Sequence, residues 1–474
     1  MIIGAGPTGL AAGYRLNELG YNDWTILEAN NYIGGLAASF TDEAGFTYDI
    51  GGHVLFSHYP YYDVIVDKIM GDQYTELNRE AWVWIENRFI PYPFQTNIKD
   101  LEKQTVVECL LGLIEAQRGT QHPANFREWI DAVFGKGIAR HFMLPYNFKV
   151  WATPAEEMNY VWIGERVAVV DVERVLSNVI FDRADVSWGP NNTFKYPLRG
   201  GTGSLWEGMR RFIEGRLRLN STVVNVDHIA KEVRTVDGRV FHYDFLLSSM
   251  PLNRLVQMMD GVPGSVRKAA ANLQWNSSHI VGVGIDRPAN TSKNWMYFPE
   301  PDVPFYRVTY LSNYSPYMTP KPDQTLFLTE TSTSRHKPED RATIVDRVID
   351  GLVKTGLMRE SDRKLIVTTW LCSPSMEYPI PSLGRDQALG TIQPWLRDQG
   401  IYSRGRFGAW LYEVSNMDHS AMQGVEFVNR VLLEEPERVW IPRGEGKWDG
   451  VSTQERWQEL RTAMPARTSS SSHS

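Results

Sequence analysis

The start of the chain alternates short apolar runs with a glycine turn and a helical pattern. Met1-Ile2-Ile3 is followed by glycines at positions 4, 6 and 9, and apolar residues then recur at helical spacing. A second apolar run at 24–27 ends on Glu28. Strand, glycine turn, helix and strand in this order predict a βαβ unit with a parallel sheet.

The pattern changes further along the chain. Apolar positions with a spacing of 3.6 predict helices at 61–70, 101–116 and 126–134. Short runs rich in β-branched residues predict strands from 217 to 248 and from about 278 to 375, with a hairpin at Asp237-Gly238. A helix is predicted near 419–434.

These elements predict an α/β protein with a discontinuous Rossmann-like domain. We assign residues 1–60, 196–255 and 400–435 to that domain, 61–195 to a mainly helical substrate domain, 256–399 to an antiparallel β-sheet domain, and 466–474 to a disordered tail.

Composition narrows the classes of function. The 474 residues include 49 Lys+Arg and 56 Asp+Glu, which gives a net charge of −7. No basic stripe favours nucleic acid, and no apolar stretch reaches the ~18 residues of a membrane helix. The first residues do not match a secretory signal, so we expect a cytoplasmic protein without membrane or nucleic-acid partners. An anionic ligand would therefore have to meet locally placed arginines.

The first glycine turn has the spacing of a dinucleotide-binding motif. Gly4 permits a tight turn, Gly6 lets the backbone approach a pyrophosphate, and Gly9 lets the helix pack closely. Pro7 and Thr8 lie at the helix start, whose N-terminus attracts phosphate charge. Glu28 would accept hydrogen bonds from ribose hydroxyls. The alternative is a fortuitous glycine-rich turn.

Two later glycine pairs extend this interpretation. Gly34-Gly35-Leu36 follows the acidic residue and is typical of proteins that bind FAD rather than NAD, although an ordinary turn would also explain it. Gly51-Gly52 breaks a strand-like pattern just before His53, where main chain could lie against a flat group. Aromatic residues make up 12% of the chain, and their clustering suggests a stacking site.

Taken together, the motifs resemble those of the UDP-galactopyranose mutases, and more closely the eukaryotic-type branch. The most specific segments are Asn147-Phe148-Lys149-Val150-Trp151 and Arg404-Gly405-Arg406-Phe407-Gly408. The complete set comprises residues 4–9, 51–58, 91–95, 145–151, 164–168, 188–191, 199–203, 295–299, 304–307, 403–410 and 412–414.

The resemblance implies an FAD-dependent isomerase that interconverts UDP-galactopyranose and UDP-galactofuranose. In this family, N5 of the reduced flavin attacks the anomeric carbon and displaces UDP, and the sugar ring opens and recloses before UDP returns. The cofactor carries the difficult chemistry, and the protein orients the reactants. The implied substrate is UDP-galactose and the implied external reductant is NAD(P)H. The oligomeric state stays open, a homo-oligomer included.

The resemblance also assigns roles to individual residues. Arg307 and Arg166 would bind the diphosphate, Arg406 would lie beside the isoalloxazine, and His53 would move when the flavin is reduced. The implied substrate-binding residues are Phe56, His58, Tyr92, Gln95, Asn147, Trp151, Arg166, Asn191, Trp295, Tyr297, Arg307, Tyr378 and Tyr412. The implied cofactor-binding residues are Gly4, Gly6, Pro7, Thr8, Gly9, Glu28, Gly34, Gly35, Leu36, Gly51, Gly52, His53, Gly405 and Arg406, and no metal ligands are expected.

Two other functions remain open at this stage. A redox flavoenzyme of the amine-oxidase or protoporphyrinogen-oxidase type would share the first glycine motif, with a lysine near the flavin and an apolar tunnel. A flavin-binding protein without catalysis would make the two arginines incidental. Without the resemblance, arginines like these would more often form surface ion pairs, and Trp151 would as readily be a core residue.

Overall fold

The computed structural model describes residues 1–119, 122–163, 167, 171–186 and 193–440. The α-helices are α1 (Pro7–Glu18), α2 (Pro60–Met70), α3 (Lys103–Arg118), α4 (Phe126–Ile138), α5 (Leu144–Trp151), α6 (Val172–Ile180), α7 (Gly203–Met209), α8 (Leu252–Met258), α9 (Gly264–Ala271), α10 (Ile344–Lys354), α11 (Arg385–Asp398), α12 (Arg406–Ala409) and α13 (Met417–Leu433).

The β-strands occur singly and in runs between these helices. They are β1 (Ile2–Ile3), β2 (Ile26–Leu27), β3 (Ser39–Thr41), β4 (Thr47–Asp49), β5 (Tyr74–Asn78), β6 (Ala81–Ile85), β7 (Arg88–Pro91), β8 (Thr193–Pro197), β9 (Leu217–Arg218), β10 (Val223–Asp227), β11 (Glu232–Thr235), β12 (Val240–His242), β13 (Leu246–Ser248), β14 (Trp275–Ile285), β15 (Trp295–Tyr297), β16 (Arg307–Tyr310), β17 (Thr325–Thr333), β18 (Ile366–Cys372), β19 (Tyr378–Pro379) and β20 (Ile401–Ser403).

A five-stranded parallel sheet combines strands from three distant parts of the chain. Its order is β20-β13-β1-β2-β9, and every neighbouring pair is parallel. Ile2, Ile26 and Leu247 are buried, as expected for strands covered on both faces. The strands come from residues 2–27, 217–248 and 401–403, so distant segments assemble the sheet.

Helix α1 follows β1 and packs against α13. Pro7 at its first turn suits a helix start, because proline lacks the N–H that would be unsatisfied there. A Cβ built on Gly424 of α13 would lie 2.0 Å from the carbonyl oxygen of Thr8. The two helices therefore approach backbone to backbone, and α13 fixes the end of α1 that faces the first glycine turn.

The largest sheet is mainly antiparallel and has the order β18-β14-β17-β16-β15-β6-β7, with β19 paired to one end of β14. The pair β15 and β6 is parallel. Strands β6 and β7 come from the predicted helical segment 61–195 yet join this sheet. The predicted domain boundaries themselves stay a prediction.

Helices α3 and α4 form the main helical layer beside this sheet. Cys109, Phe126 and Trp129 are completely buried in the core that includes the sheet residues Val83 and Ile90. The predicted hairpin at Asp237-Gly238 joins β11 and β12. A parallel sheet, separate antiparallel sheets and a helical layer confirm the predicted fold class. Within the described residues, no helix is long and apolar enough to cross a membrane.

Candidate active site

The first glycine turn forms a cradle between β1 and the N-terminus of α1. Gly4 has a φ of +96°, which an L side chain rarely adopts, and a Cβ on Gly9 would lie 1.9 Å from the oxygen of Gly4. A Cβ built on Gly6 would meet no atom within 4 Å. The backbone is therefore tightly packed at Gly9, whereas there is free space beside Gly6. In that space the N-terminus of the helix can bind a phosphate.

Glu28 lies at the carboxyl end of β2, beside this turn. Its carboxylate accepts hydrogen bonds from the backbone N–H of Ala5 at 2.7 Å and of Asn30 at 2.9 Å. The side chain is therefore held next to the turn by main chain from both neighbouring loops. This arrangement fits the ribose contact expected of an acidic residue at the end of the second strand.

Two further loops close on the cradle. The N–H of Gly34 donates to the carbonyl of Ala5 at 2.8 Å, and a Cβ on Gly35 would lie 3.5 Å from Cα of Gly6. Gly405 has a φ of +85°, and a Cβ there would lie 2.4 Å from the hydroxyl of Thr8. The sequence-predicted cofactor residues of three separate segments thus form one continuous surface that fits a dinucleotide.

A cavity of about 350 Å³ adjoins this cradle at Leu36 and Arg406, between the loop 50–58, the large sheet and α5. Its lining includes these sequence-predicted residues: Leu36, Gly51, Gly52, His53, Phe56, His58, Tyr92, Gln95, Asn147, Trp151, Trp295, Tyr297, Arg307, Tyr378, Arg406 and Tyr412. Arg166 and Asn191 lie outside the described residues. The structure therefore brings the predicted flavin-side and substrate-side residues to one space.

Arg307 on β16 faces Glu330 on β17, its direct partner in the strand pairing. Nε of Arg307 donates to Oε1 of Glu330 at 2.6 Å, and Nη2 donates to Oε2. Burial opposes the charge on Arg307, but the attraction of Glu330 outweighs it and raises the pKa of the guanidinium. The pair is thus a buried ion pair in the cavity wall and not a surface one.

Glu330 also binds the glycine loop. Its Oε1 accepts the N–H of Gly52 at 2.9 Å, and its Oε2 accepts the hydroxyl of Tyr306 at 2.7 Å. Burial opposes ionisation of Glu330, yet Arg307 holds its pKa below the usual value. One carboxylate therefore connects the Gly51-Gly52-His53 loop to Arg307, the arginine for which the family resemblance implies contact with the diphosphate.

The imidazole of His53 lies on that loop, with Nδ1 3.2 Å from the carbonyl oxygen of Gly51. Burial and the positive charge of Arg406 lower the pKa of His53 to about 4, so the ring is neutral at neutral pH. Arg406 itself lies at the start of α12, 5.3 Å from the ring centre of Tyr378. A neutral imidazole and a guanidinium therefore share the side of the cavity nearest the cradle.

Aromatic rings line much of the rest of the cavity. The ring centres of Tyr92 and Tyr297 are 4.7 Å apart, and those of Trp151 and Tyr412 are 4.6 Å apart. Trp151 is only 2% exposed although it lines the cavity, so it is both a core residue and part of the wall. The tyrosine hydroxyls give this apolar wall polar tips.

Gln95 and Asn147 supply the amide groups of this wall. Gln95 is 2% exposed, and Nε2 of its side chain lies 4.0 Å from the sulfur of Met143. Nδ2 of Asn147 donates to the carbonyl of Met143 at 2.7 Å. Asn147 is thereby held one helical turn from Met143 and can still offer its carbonyl oxygen.

His58 lies at the edge of the cavity against α13. Its Nδ1 is 2.7 Å from Oδ2 of Asp418, and the same oxygen accepts the backbone N–H of His58 at 3.1 Å. The rings of His58 and His419 stack with centres 4.6 Å apart. His58, Asp418 and His419 also place one ligand atom each within 4.8 Å of one another.

Sequence reasoning missed several residues of the wall. Glu330, Glu377, Tyr306, Tyr146, Arg79 and Asp418 line the cavity but were not predicted. A signal existed for Glu330, because a lone carboxylate inside the apolar strand pattern at 326–331 needs a buried partner. Glu377 and Asp418 lie in a loop and at a helix start, where an acidic residue is unremarkable.

The chain is similar to known flavoproteins along most of its length. The family described as flavin containing amine oxidoreductase matches residues 7–432. A crystal structure of a reduced UDP-galactopyranose mutase is 42% identical, with a TM-score of 0.90, and the match covers 93% of this chain and 95% of that one.

Two more distant proteins resemble this chain only in fold or over only part of the sequence. A CLA-producing fatty acid isomerase from P. acnes is 18% identical, with a TM-score of 0.60 and 91% of this chain and 98% of that chain covered. A 4,4'-diapophytoene desaturase of Staphylococcus aureus (strain COL) is 29% identical over 153 residues, which are 31% of this chain. The chain spans only 28% of the length of that curated relative.

The near full-length match at 42% identity and the family match over most of the chain agree with the glycine cradle and the arginine-lined cavity. Both support FAD as the cofactor. The chain therefore belongs to the UDP-galactopyranose mutases, within the flavin containing amine oxidoreductase family.

Proposed function

We propose that the protein interconverts UDP-galactopyranose and UDP-galactofuranose, with reduced FAD as the active form of the cofactor. The observation that carries this proposal is the guanidinium of Arg307, 13% exposed and paired with Glu330, in a cavity that adjoins the dinucleotide cradle at Leu36 and Arg406 and is walled by tyrosines. A diphosphate develops charge as the bond to the anomeric carbon breaks, and a guanidinium is its natural stabiliser.

The cradle would hold the FAD pyrophosphate at Gly6 and the N-terminus of α1, with Glu28 on the ribose. When bound and reduced, the flavin supplies the nucleophile for the anomeric carbon. Arg406 would favour negative charge on the reduced ring, and the neutral His53 would hydrogen-bond without adding a competing cation. External NAD(P)H would supply the electrons, in keeping with the expected cytoplasmic location.

The aromatic wall would hold the substrate, UDP-galactose. Tyr92, Gln95, Asn147 and Trp151 would face uracil, which needs a stacking surface and amide partners. Tyr297, Tyr378 and Tyr412 would donate hydrogen bonds to the diphosphate, and Trp295 would line the galactose end. Arg166 and Asn191, although outside the described residues, keep their proposed roles on the diphosphate and the sugar side.

The polar wall favours this function over an oxidase. An amine-oxidase type of enzyme would use a lysine near the flavin and an apolar tunnel. Among the described residues that line the cavity there is no lysine, whereas Arg79, Arg307 and Arg406 all contribute to the wall. Three guanidinium groups suit an anionic substrate and have no purpose in an apolar tunnel.

The decisive experiment is anaerobic incubation of dithionite-reduced protein with UDP-galactofuranose, followed by chromatography for UDP-galactopyranose. We expect conversion by the reduced protein and none by the oxidised protein. Arg307→Lys should lose most of this activity, because an ammonium cannot reproduce the planar fork. Arg335→Lys, a matched change at a side chain that is 72% exposed and outside the cavity lining, should convert normally. No product with reduced protein, or equal conversion with oxidised protein, would overturn the proposal.

A further inference from the structure

Two buried glutamates share one wall of the cavity and compete for the same proton donor. The hydroxyl of Tyr306 lies 2.7 Å from Oε2 of Glu330 and 3.3 Å from Oε1 of Glu377. A phenol has a single proton to donate, so it can satisfy only one of the two carboxylates fully. The shorter distance assigns that proton to Glu330.

The negative charge of Glu330 is also stabilised by more donors than that of Glu377. It accepts from the guanidinium of Arg307 and from the N–H of Gly52. The guanidinium of Arg406 donates to the backbone carbonyl of Glu377, at 3.4 Å, and not to its carboxylate. Oε2 of Glu377 is buried and meets no donor at hydrogen-bond geometry among the described residues, so the nearby hydroxyl of Ser278 stabilises its charge only weakly. A carboxylate in that position is costly, whereas a carboxylic acid is not.

The charged and titratable groups that face Glu377 come from all the elements around it. They are Glu330 from β17, Tyr306 and Arg307 from the start of β16, Arg406 from α12, Tyr378 from β19 and Cys372 from β18, with the hydroxyl of Ser278 from β14. Burial and repulsion by Glu330 raise the pKa of Glu377 to about 7, against the opposite effects of Ser278, Arg307 and Arg406.

The neighbours of Glu377 do not change their protonation state in the neutral pH range. Burial raises the pKa values of Tyr306, Tyr378 and Cys372 above their ordinary values of 10.0, 10.0 and 9.0, so all three stay neutral. Arg307 stays charged, and its attraction keeps Glu330 ionised. Of these groups, Glu377 is therefore the one that changes charge between pH 6 and 8.

We infer that Glu377 takes up one proton from solvent when the diphosphate of the substrate enters the cavity, so that the complex contains one ionised glutamate instead of two. The inference rests on the proposed function, because it takes Arg307 to be the partner of the diphosphate. The diphosphate brings negative charge to the guanidinium that now compensates Glu330. A second carboxylate in the same wall would then repel both anions at short range and low dielectric.

The proton is bound without any covalent change in the substrate. One O–H bond forms on the Glu377 carboxylate, and one proton leaves the buffer. In the acid form the side chain also gains a hydrogen that it can donate, which a carboxylate lacks. Glu377 would thus act as a charge-compensating residue for substrate binding.

Calorimetry on the FAD-loaded, oxidised protein tests this inference, since that form should bind UDP-galactose without converting it. UDP-galactose is used instead of UDP, because the terminal phosphate of UDP titrates near pH 6 and would itself exchange protons. In UDP-galactose both phosphates are esterified and do not titrate in this range. Titrations in buffers of different ionisation enthalpy give the protons bound per ligand. With a free pKa of about 7, we expect uptake of about 0.9 proton at pH 8 and about 0.1 at pH 6, and a Kd about tenfold weaker at pH 8 than at pH 6.

Glu377→Gln keeps the shape of the acid form but cannot bind the proton. Its proton uptake at pH 8 should vanish, and its Kd should change by less than about twofold between pH 6 and 8. Glu426→Gln is the matched control, since burial also raises the pKa of Glu426 but this residue does not line the cavity. It should keep the wild-type uptake and pH dependence.

Two results would overturn the inference. One is binding of UDP-galactose by the wild-type protein at pH 8 with no proton uptake, a measurement that does not depend on how any variant folds. The other is unchanged uptake in Glu377→Gln. Failure of the wild-type protein to bind UDP-galactose at either pH would instead contradict the proposed function, and the inference would fall with it.

Discussion

Replacement of Arg307 by methionine separates its part in stability from its part in binding. The change leaves the Glu330 carboxylate, 1% exposed, without its cation. Nε of Arg307 and Oε1 of Glu330 are 2.6 Å apart, and the charge centres of such a pair lie about 4 Å apart, which gives about 4 kcal/mol at an effective dielectric constant of about 20. Loss of one partner of a buried pair costs about 3–5 kcal/mol, so we expect the free energy of unfolding to fall by that amount.

The double variant Arg307→Met with Glu330→Gln should recover most of this stability. Glutamine removes the orphaned charge, and its side-chain oxygen can still accept from Gly52 and Tyr306. Binding should not recover, because the guanidinium is absent in both variants. A lost charge-assisted hydrogen bond costs about 1.5–3 kcal/mol, so we expect UDP-galactose to bind about 10- to 100-fold more weakly.

Urea unfolding followed by tryptophan fluorescence gives the stabilities of both single variants, the double variant and the wild type, and calorimetry gives their affinities. Arg363→Met is the control, because Arg363 pairs with Asp350 at 2.7 Å where both side chains are at least 36% exposed. Such a pair contributes about 0–1 kcal/mol, and the variant should bind normally. The reasoning about the ion pair is wrong if the double variant is as unstable as Arg307→Met. The assignment of Arg307 to the diphosphate is wrong if the double variant binds UDP-galactose with wild-type affinity.

Three other changes have distinct expected results. Gly424→Ala should lower flavin content and thermal stability, measured by flavin absorbance and melting, because its Cβ would lie 2.0 Å from the oxygen of Thr8; a fully loaded, equally stable variant would contradict the close packing of α1 and α13. His53→Ala should lower turnover, equally from pH 6 to 8 because the imidazole is already neutral, while FAD stays bound; near-normal activity at saturating substrate would exclude the proposed loop role. Glu377→Gln should melt at a higher temperature than the wild type at pH 8 and at the same temperature at pH 4. A pKa raised from 4.5 to about 7 lowers the free energy of unfolding of the wild type by up to about 3 kcal/mol once the pH rises above 7, and glutamine does not ionise. An equal or lower melting temperature at pH 8 would contradict the buried carboxyl.

Local rules were sufficient to predict the cradle and the class of the fold. The spacing of Gly4, Gly6 and Gly9 dictates where backbone can approach backbone, and that constraint acts within a few residues. Short runs rich in β-branched residues likewise predicted the central strands of the large sheet, because a continuous apolar run is a local property. The membership of β6 and β7 in that sheet was not predictable in this way, since it depends on pairing with a strand more than 200 residues later.

The candidate site shows the same division. His53, Trp151 and Arg406 stand in motifs that the family resemblance could place. Glu330 and Glu377 stand in no motif, and each acquires its chemistry only from partners brought in by tertiary structure. Glutamate is a residue type that usually lies at the surface and ionises at low pH. Glu377 titrates near neutral pH only because burial and the charge of Glu330 act on it together.

The position of Glu330 gives the cavity a physical connection between its two ends. The same carboxylate holds Arg307, proposed to contact the diphosphate, and the N–H of Gly52, next to the histidine proposed to face the flavin. Any ligand that draws Arg307 away from Glu330 leaves a carboxylate whose remaining donors are Gly52 and Tyr306. That carboxylate must then hold both of them more strongly, and a proton on Glu377 removes the repulsion from the second carboxylate. Substrate binding, the glycine loop and the protonation of Glu377 should therefore change together. Separate responses to UDP-galactose, with Glu377 protonated while the Gly52 N–H keeps its exchange rate in hydrogen-exchange measurements, would show that the carboxylate does not couple the two ends.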